Sequence, residues 1–269
     1  MKNKGSYKVE VYGCGTVGYW TTLILAHNLA AASMDSLTLI DRDHISEANA
    51  ITCPQYSGHV GWAKTARLGE IARPLLGSKT RVRAFCKDVQ CLDWSEIVGN
   101  ARQGMRVAII GLDDWQARLT VIEGLRVVAS EGGGDALVIQ VGLDKDQAGV
   151  CVFGCEWNDP CPACGLPTLP ANEPCVVQDP ERRLLRGNLQ REAQAAAALV
   201  CQIIAEHCNA AGSSPWTNTK TNLIAVRPGV TEFRHFRRAR MRMSSCLGPH
   251  SAQGPINLSG IVQEVSHGR

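Results

Sequence analysis

Apolar positions along the chain fall into short runs whose spacing switches between strand and helix. Val9-Glu10-Val11-Tyr12 reads as a strand, and from about Tyr19 to Ala32 the chain is apolar nearly all round, as in a helix buried against a sheet. Ser36 to Ile40 is a second strand. A polar stretch rich in turn formers, residues 47–61, reads as a loop, and an amphipathic helix then runs from Lys64 to Ile71, stopped by Pro74. Thr80 to Phe85 alternates with period two, Asp93 to Ile97 fits a short helix, and Arg106 to Ile110 is a continuous apolar run of the kind found inside parallel sheets. Past Gly132-Gly133-Gly134 come two strands, Ala136 to Val141 and Ala148 to Gly154, joined by a turn at Asp144-Lys145-Asp146. A proline-dense crossing, Leu166 to Gly187, leads to an alanine-rich helix from Asn188 to Asn209. Two antiparallel strands, Asn222 to Arg227 and Thr231 to Phe236, joined at Pro228-Gly229, close the pattern. The alternation predicts an α/β chain with a mostly parallel sheet and an antiparallel extension at its C-terminal side.

Composition changes this picture little. With 269 residues, 45 % of them hydrophobic, the chain can bury one large core, and residues from Ser251 on read as a tail. A net charge of +3, with basic residues spread except for the five arginines between Arg234 and Arg242, gives no argument for nucleic acid; that run reads as a solvated sheet edge or a dock for an acidic partner. No apolar run approaches membrane-spanning length, and Met1 to Ser6 leads into a strand without a signal-peptide core, so a cytoplasmic protein without a membrane partner is expected. Twelve cysteines in such a chain point to metal ligands, a reactive thiol and small buried side chains more than to disulfides. Cys14, Cys86, Cys91, Cys201 and Cys208 are expected to pack as small apolar residues, and His27 to be a hydrogen-bonded packing residue.

Candidate chemistry begins where the first strand meets the first helix. Gly13-Cys14-Gly15-Thr16-Val17-Gly18 supplies a glycine for a tight turn, one for backbone approach to a phosphate and one for close contact of helix and strand, with free N–H groups at the helix start facing the anion. Asp41 ends the second strand where an acidic side chain meets a ribose hydroxyl. The motif favours a nucleotide over a turn of purely structural use, and with it the fold reads as Rossmann-like and doubly wound. Open sheets bind ligands beyond the carboxyl ends of their strands, which brings Asp113, at the end of Arg106 to Ile110, toward the same crevice. Asp113 suits Mg²⁺, and Asp114 suits the cap of the following helix. Farther on, Cys161-Pro162-Ala163-Cys164-Gly165 has the local shape of a zinc knuckle, and Cys246-Leu247-Gly248-Pro249-His250 could close a Cys₃His site, with Cys151 or Cys155 as substitute ligands.

Three of these segments together resemble the ThiF/MoeB/HesA family, adenylating enzymes related to ubiquitin-activating enzymes. They are Asp41-Arg42-Asp43-His44-Ile45-Ser46-Glu47-Ala48-Asn49 followed by Gly61-Trp62-Ala63-Lys64, then Asp113-Asp114-Trp115-Gln116-Ala117-Arg118, where the family carries D-N-x-x-x-R, and the cysteine pair. With the glycine loop the likeness runs from about Val9 to His250. It implies one adenylation domain over residues 1–250, its nucleotide-binding half about 1–135, its crossover loop and zinc-stapled half about 136–250, and the tail 251–269. It implies binding of ATP and Mg²⁺, then attack by a C-terminal carboxylate on the α-phosphate to give an acyl-adenylate and pyrophosphate. The usual partner is a small ubiquitin-like, β-grasp protein, or a peptide in some branches, and members are typically homodimers. By the same resemblance Asp41 and Asp43 serve the nucleotide, Asn49 and Lys64 reach its phosphates, Asp113 holds magnesium, and Arg118 orients the loop or meets the partner's terminus. Cys161, Cys164, Cys246 and His250 hold Zn²⁺. Cys175 in the crossover is where some members carry a thiol that captures the adenylate, with Arg182, Arg183 and Arg186 placed to lower its pKa.

The chain departs from the family at two charges. Thr52, followed by Cys53, stands where an arginine is usual, and the segment before Val9 is too short for the arginine-bearing arm these enzymes lend to a partner subunit. Arg42 or Arg67 as a substitute, weak activity, or a second chain are the open ways to account for this. Two other classes stay open: a nucleotide- or partner-binding protein of this fold without turnover, and an NAD(P)-dependent oxidoreductase.

Overall fold

The computed structural model describes residues 7–29, 34–98, 105–131, 136–143, 148–154, 183–209, 221–226 and 234–238. Its strands are β1 (Tyr7–Tyr12), β2 (Met34–Ile40), β3 (Arg81–Phe85), β4 (Met105–Ile110), β5 (Ala136–Leu143), β6 (Ala148–Gly154), β7 (Thr221–Val226) and β8 (Arg234–Arg238). Its α-helices are α1 (Thr16–Leu29), α2 (Glu47–Thr52), α3 (Lys64–Leu76), α4 (Trp94–Val98), α5 (Trp115–Ser130) and α6 (Arg183–Asn209). The strands form one sheet in the order β3-β2-β1-β4-β5-β6-β7-β8. The first five are parallel and the last three antiparallel. The order reverses at β1, so the crevice between the ends of β1 and β4 is the switch point at which such sheets bind ligands.

Two apolar layers cover the faces. One, under α1, α3 and α6, holds Val9, Val11, Leu25, Leu37, Leu39, Val107, Ile109 and Val200. The other, under α4 and α5, holds Tyr12, Ile40, Ala108, Ile110, Val121 and Leu125. The alternation of Val9 and Val11 against Glu10 and Tyr12 explains the split, because successive strand side chains take opposite faces. Glu10 would be costly there alone. The buried Arg106 guanidinium grips it instead, with Nε and Nη2 each donating to Oε1, at 3.1 and 3.0 Å, while the Tyr12 hydroxyl donates to Oε2 at 3.1 Å.

Several boundaries differ from the sequence reading, each for a local reason. Helix α1 starts at Thr16, three residues before the expected Tyr19, because the Gly15 carbonyl already accepts the Tyr19 N–H at 2.8 Å. Pro74 does not stop α3; it lies inside the helix, which ends at Gly77 with φ +75°, a left-handed conformation suited to glycine. The expected loop 47–61 contains α2 and a 3₁₀ turn, Pro54–Tyr56. Ser46 and Asn49 cap α2 reciprocally, a signal hidden because asparagine stands where glutamate or glutamine is usual. Helix α6 begins at Arg183, before Asn188, and β7 pairs antiparallel with β8 with Ala225 opposite Arg234, so the first part of the arginine run, Arg234–Arg238, forms β8. Cys14 and Cys201 are buried as expected, but Cys86, Cys91 and His27 are exposed. No helix among the described residues is long and apolar enough to cross a membrane.

Candidate nucleotide site

The glycine loop is built by contact geometry. Gly13 has φ +94°, and a Cβ on it would meet the Gly111 carbonyl oxygen at 2.8 Å; at Gly18 a Cβ would meet the Gly13 oxygen at 1.9 Å. These two glycines close the loop against the end of β4 and against α1. Gly15 is different, since a Cβ there would meet nothing within 4 Å, which leaves open space above the first turn of α1. Its N–H groups make that space a natural seat for an anion.

Asp41 braces the loop from the end of β2. One carboxylate oxygen accepts the Cys14 N–H at 2.7 Å and the other accepts the Asp43 N–H at 2.8 Å, with the residue only 7 % exposed. Burial raises its pKa, and Lys64 with the two backbone donors works the other way. Lys64 opens α3 and is 8 % exposed, with Nζ 2.9 Å from an Asp43 carboxylate oxygen. Burial opposes its charge, but Asp41 and Asp43 outweigh that and raise its pKa. Lys64 is therefore an ammonium throughout the neutral range, and Asp43 is largely solvated, so a phosphate that reaches the crevice meets a cation held by an exchangeable partner.

The segment between Asp43 and Lys64 is tied down by aromatic side chains. The Tyr56 hydroxyl donates to the Cys14 carbonyl at 2.9 Å, and Tyr56 packs edge-on against Tyr19. Trp20 donates from its indole nitrogen to the Thr52 carbonyl at 3.0 Å, and the Thr16 and Thr52 hydroxyls pair at 2.8 Å. Sequence reasoning did not single out Tyr56; an aromatic residue inside an otherwise polar turn-rich stretch was the available signal. Asn49 sits on this segment with its side-chain oxygen bonded to the Ser46 N–H at 3.0 Å. Its amide hydrogens have no partner among the described residues.

Asp113 and Asp114 follow Gly111, whose N–H donates to the Tyr12 carbonyl, so the end of β4 lies directly beside the glycine loop. Asp114 caps α5 by accepting the Gln116 N–H at 2.8 Å. The Asp113 carboxylate is exposed and has no partner among the described residues, a donor chemistry that fits magnesium completed by phosphate and water. Arg118 reaches back from α5 to donate to the Leu112 carbonyl at 2.6 Å and to the Val141 carbonyl at 3.1 Å, clamping the ends of β4 and β5.

The two candidate substitute arginines are engaged elsewhere. Arg42 pairs with Asp88 at 2.5 Å, and Arg67 donates to the Gln55 carbonyl and pairs with Glu70 at 3.1 Å. Thr52, at the expected arginine position, is 6 % exposed and faces α1. Cys14 and Cys53 are buried; burial pushes the Cys14 thiol well up and the Cys53 thiol to about 11, which makes both poor nucleophiles at neutral pH. Cys175, Cys161, Cys164, Cys246 and His250 lie outside the described residues. Among the described residues no group of three or more His, Cys, Asp or Glu could hold a metal ion.

No family profile matches the sequence, and no curated protein matches it. Solved structures do share its fold. E. coli MccB crystallised with ATP superposes with a TM-score of 0.58 at 18 % identity, covering 89 % of this chain and 65 % of that one. The microcin C7 biosynthetic enzyme MccB in complex with N-formylated MccA gives 0.58 at 17 %, covering 89 % and 66 %. PaaA gives 0.56 at 16 %, covering 88 % and 65 %. The chain thus spans about two thirds of the length of these proteins, and at this identity the likeness is one of fold.

Proposed function

We propose that this chain is an ATP-dependent adenylyltransferase that activates the C-terminal carboxylate of a peptide or of a small ubiquitin-like protein. The observation that carries the reading is the buried Lys64 ammonium, held by Asp43 beside a glycine loop whose middle position opens onto free space. The fold shared with MccB, crystallised with ATP and with the peptide MccA, supports the same reading.

In this mechanism the N–H groups at the start of α1 and the Lys64 ammonium take the phosphates, and the Asn49 amide adds a neutral donor. Asp41 holds the loop in its receptive shape and accepts from the ribose. Asp113 would hold magnesium, which when bound neutralises phosphate charge. A carboxylate oxygen of the partner then bonds to the α-phosphorus as the bond from that phosphorus to the bridging oxygen of pyrophosphate breaks. Lys64 stabilises the charge that gathers on the departing pyrophosphate. Arg118 keeps the Asp113 loop in register by holding Leu112. The reading extends to thiol capture at Cys175 with release of AMP, to a homodimer, and to a Zn²⁺ held by Cys161, Cys164, Cys246 and His250, which metal analysis of the purified chain checks directly.

Calorimetry decides first. Wild type should bind ATP with Mg²⁺ and not NADH, and Asp113→Ala should weaken ATP only when magnesium is present. Binding of neither nucleotide overturns the reading. Intact binding with pyrophosphate exchange at background for every peptide and ubiquitin-like partner tried supports the second reading, a binding protein without turnover, which the occupied Arg42 and Arg67 and the inward-facing Thr52 favour.

A further inference from the structure

Strand β3 ends the sheet: among the described residues it pairs only with β2. An edge strand offers a row of unpaired N–H and C=O groups to any extended chain that meets it. Arg81 and Ala84 on this strand are exposed, so nothing described covers the edge. Its two faces differ. On one, Arg83 is committed, donating to the Glu96 and Ile97 carbonyls and lying over the Phe85 ring. On the other, a cleft of about 460 Å³ opens between the strand and the end of α3, lined by Arg73, Pro74, Gly77, Ser78, Thr80 and Val82.

The charge along this edge is one-sided. Arg73, Lys79 and Arg81 are all exposed, and none of their side chains has a hydrogen-bond or ion-pair partner among the described residues. Of the neighbouring carboxylates, Glu70 is taken by Arg67, and Asp35 stands alone at the start of β2, one position before Ser36, which lies opposite Arg81. Val82 and Pro74 give the cleft an apolar floor beside Arg73 and Lys79, while Arg81 shares the opposite face of β3 with Arg83. Side chains of an added strand alternate in direction, so every second one would enter the cleft and the others would pass the opposite face.

We propose that the β3 edge is a docking site for an extended, acidic segment of another polypeptide, which adds to the sheet as a further strand. Its backbone pairs with residues 81–85, alternate apolar side chains enter the cleft over Val82, and the carboxylates between them pass the opposite face to meet Arg81, with Arg73 and Lys79 beside the cleft adding to the same positive field. Charge complementarity selects this occupant over a basic or neutral strand. The site is separate from the nucleotide crevice and stands independently of the adenylation reading, since neither Lys64 nor the glycine loop takes part.

The test uses a fluorescein-labelled peptide of alternating glutamate and valine, a lysine–valine peptide of equal length, and the glutamate–valine peptide N-methylated at alternate residues, which keeps its charge but cannot pair. Fluorescence anisotropy with the full chain should give saturable, salt-sensitive binding of the first peptide, and binding at least about tenfold weaker for the other two. Hydrogen exchange should show new protection at the amides of residues 81–85. Arg73→Glu combined with Arg81→Glu should lose the binding while the thermal midpoint and ATP affinity stay at their wild-type values. Equal affinity for the acidic and basic peptides, absence of binding, or binding without protection at residues 81–85 would each overturn the proposal; the last would leave only loose charge attraction to a solvated edge.

Discussion

Single residues carry the site through close contact more than through charge. Gly18→Ala would place a methyl group 1.9 Å from the Gly13 oxygen, and neither backbone can yield without opening the loop. The expected cost is about 3 kcal/mol, in the upper range for overpacking, seen as a lower urea midpoint together with loss of ATP binding. Gly15→Ala meets nothing within 4 Å, so it should fold normally and weaken nucleotide alone. Tyr56→Phe removes the hydroxyl that satisfies the buried Cys14 carbonyl, and about 1–2 kcal/mol of stability should go with it. These roles differ in how legible they are. Gly13, Gly15 and Gly18 announce themselves by spacing, whereas Tyr56 contacts the loop across a sequence separation of 42, which no local pattern encodes.

At the level of elements, the decisive piece is the short α2 and its seat on α1. Thr52 pairs its hydroxyl with Thr16 and gives its carbonyl to Trp20, facing inward. An arginine introduced there would have to bury its charge against α1 or push α2 away. Thr52→Arg is therefore expected to lower stability by about 1–3 kcal/mol and to leave ATP affinity no better than wild type, measured by chemical denaturation and calorimetry. A gain in affinity would show that the position still faces the phosphates. The capping role of Asp114 on α5 was readable from sequence because it depends only on the next few residues. The extent of α3 was not: a proline in its last turn forfeits one hydrogen bond, and the packing of Leu76 in the core outweighs that.

On the scale of the whole molecule, the Glu10 and Arg106 pair joins β1 to β4 beneath α4 and α5, with no exposure at Arg106. Removing one partner leaves the other charge buried, so Arg106→Ala should cost about 3–5 kcal/mol, while Glu10→Leu with Arg106→Met should fold with stability near wild type. Urea denaturation of the single and double variants separates these outcomes. The pH dependence of the fold has a source in α6. Burial lowers the pKa of His207 below its ordinary 6.5, so the neutral ring is the form the folded state prefers. The stability linked to it is present above about pH 6.5 and falls as pH drops through the lowered value, because the unfolded chain then takes up the proton more readily. His207→Gln should flatten the urea midpoint between neutral pH and pH 5 relative to wild type.

Residue order alone revealed the strands, the helices other than α2, the glycine loop and the acid that follows β2, because each depends on residue type and spacing over a few positions. It pointed to Lys64 and Asp113 through a resemblance, and it left open what surrounds them. That Asp41 braces the loop with both oxygens, that Asp43 holds Lys64, and that Arg42 and Arg67 are engaged with Asp88 and Glu70 emerges from the folded chain alone. Each of those pairings is set by side chains approaching from different elements. Direction and distance in space, which the linear order of residues does not carry, determine which partner a charge finds.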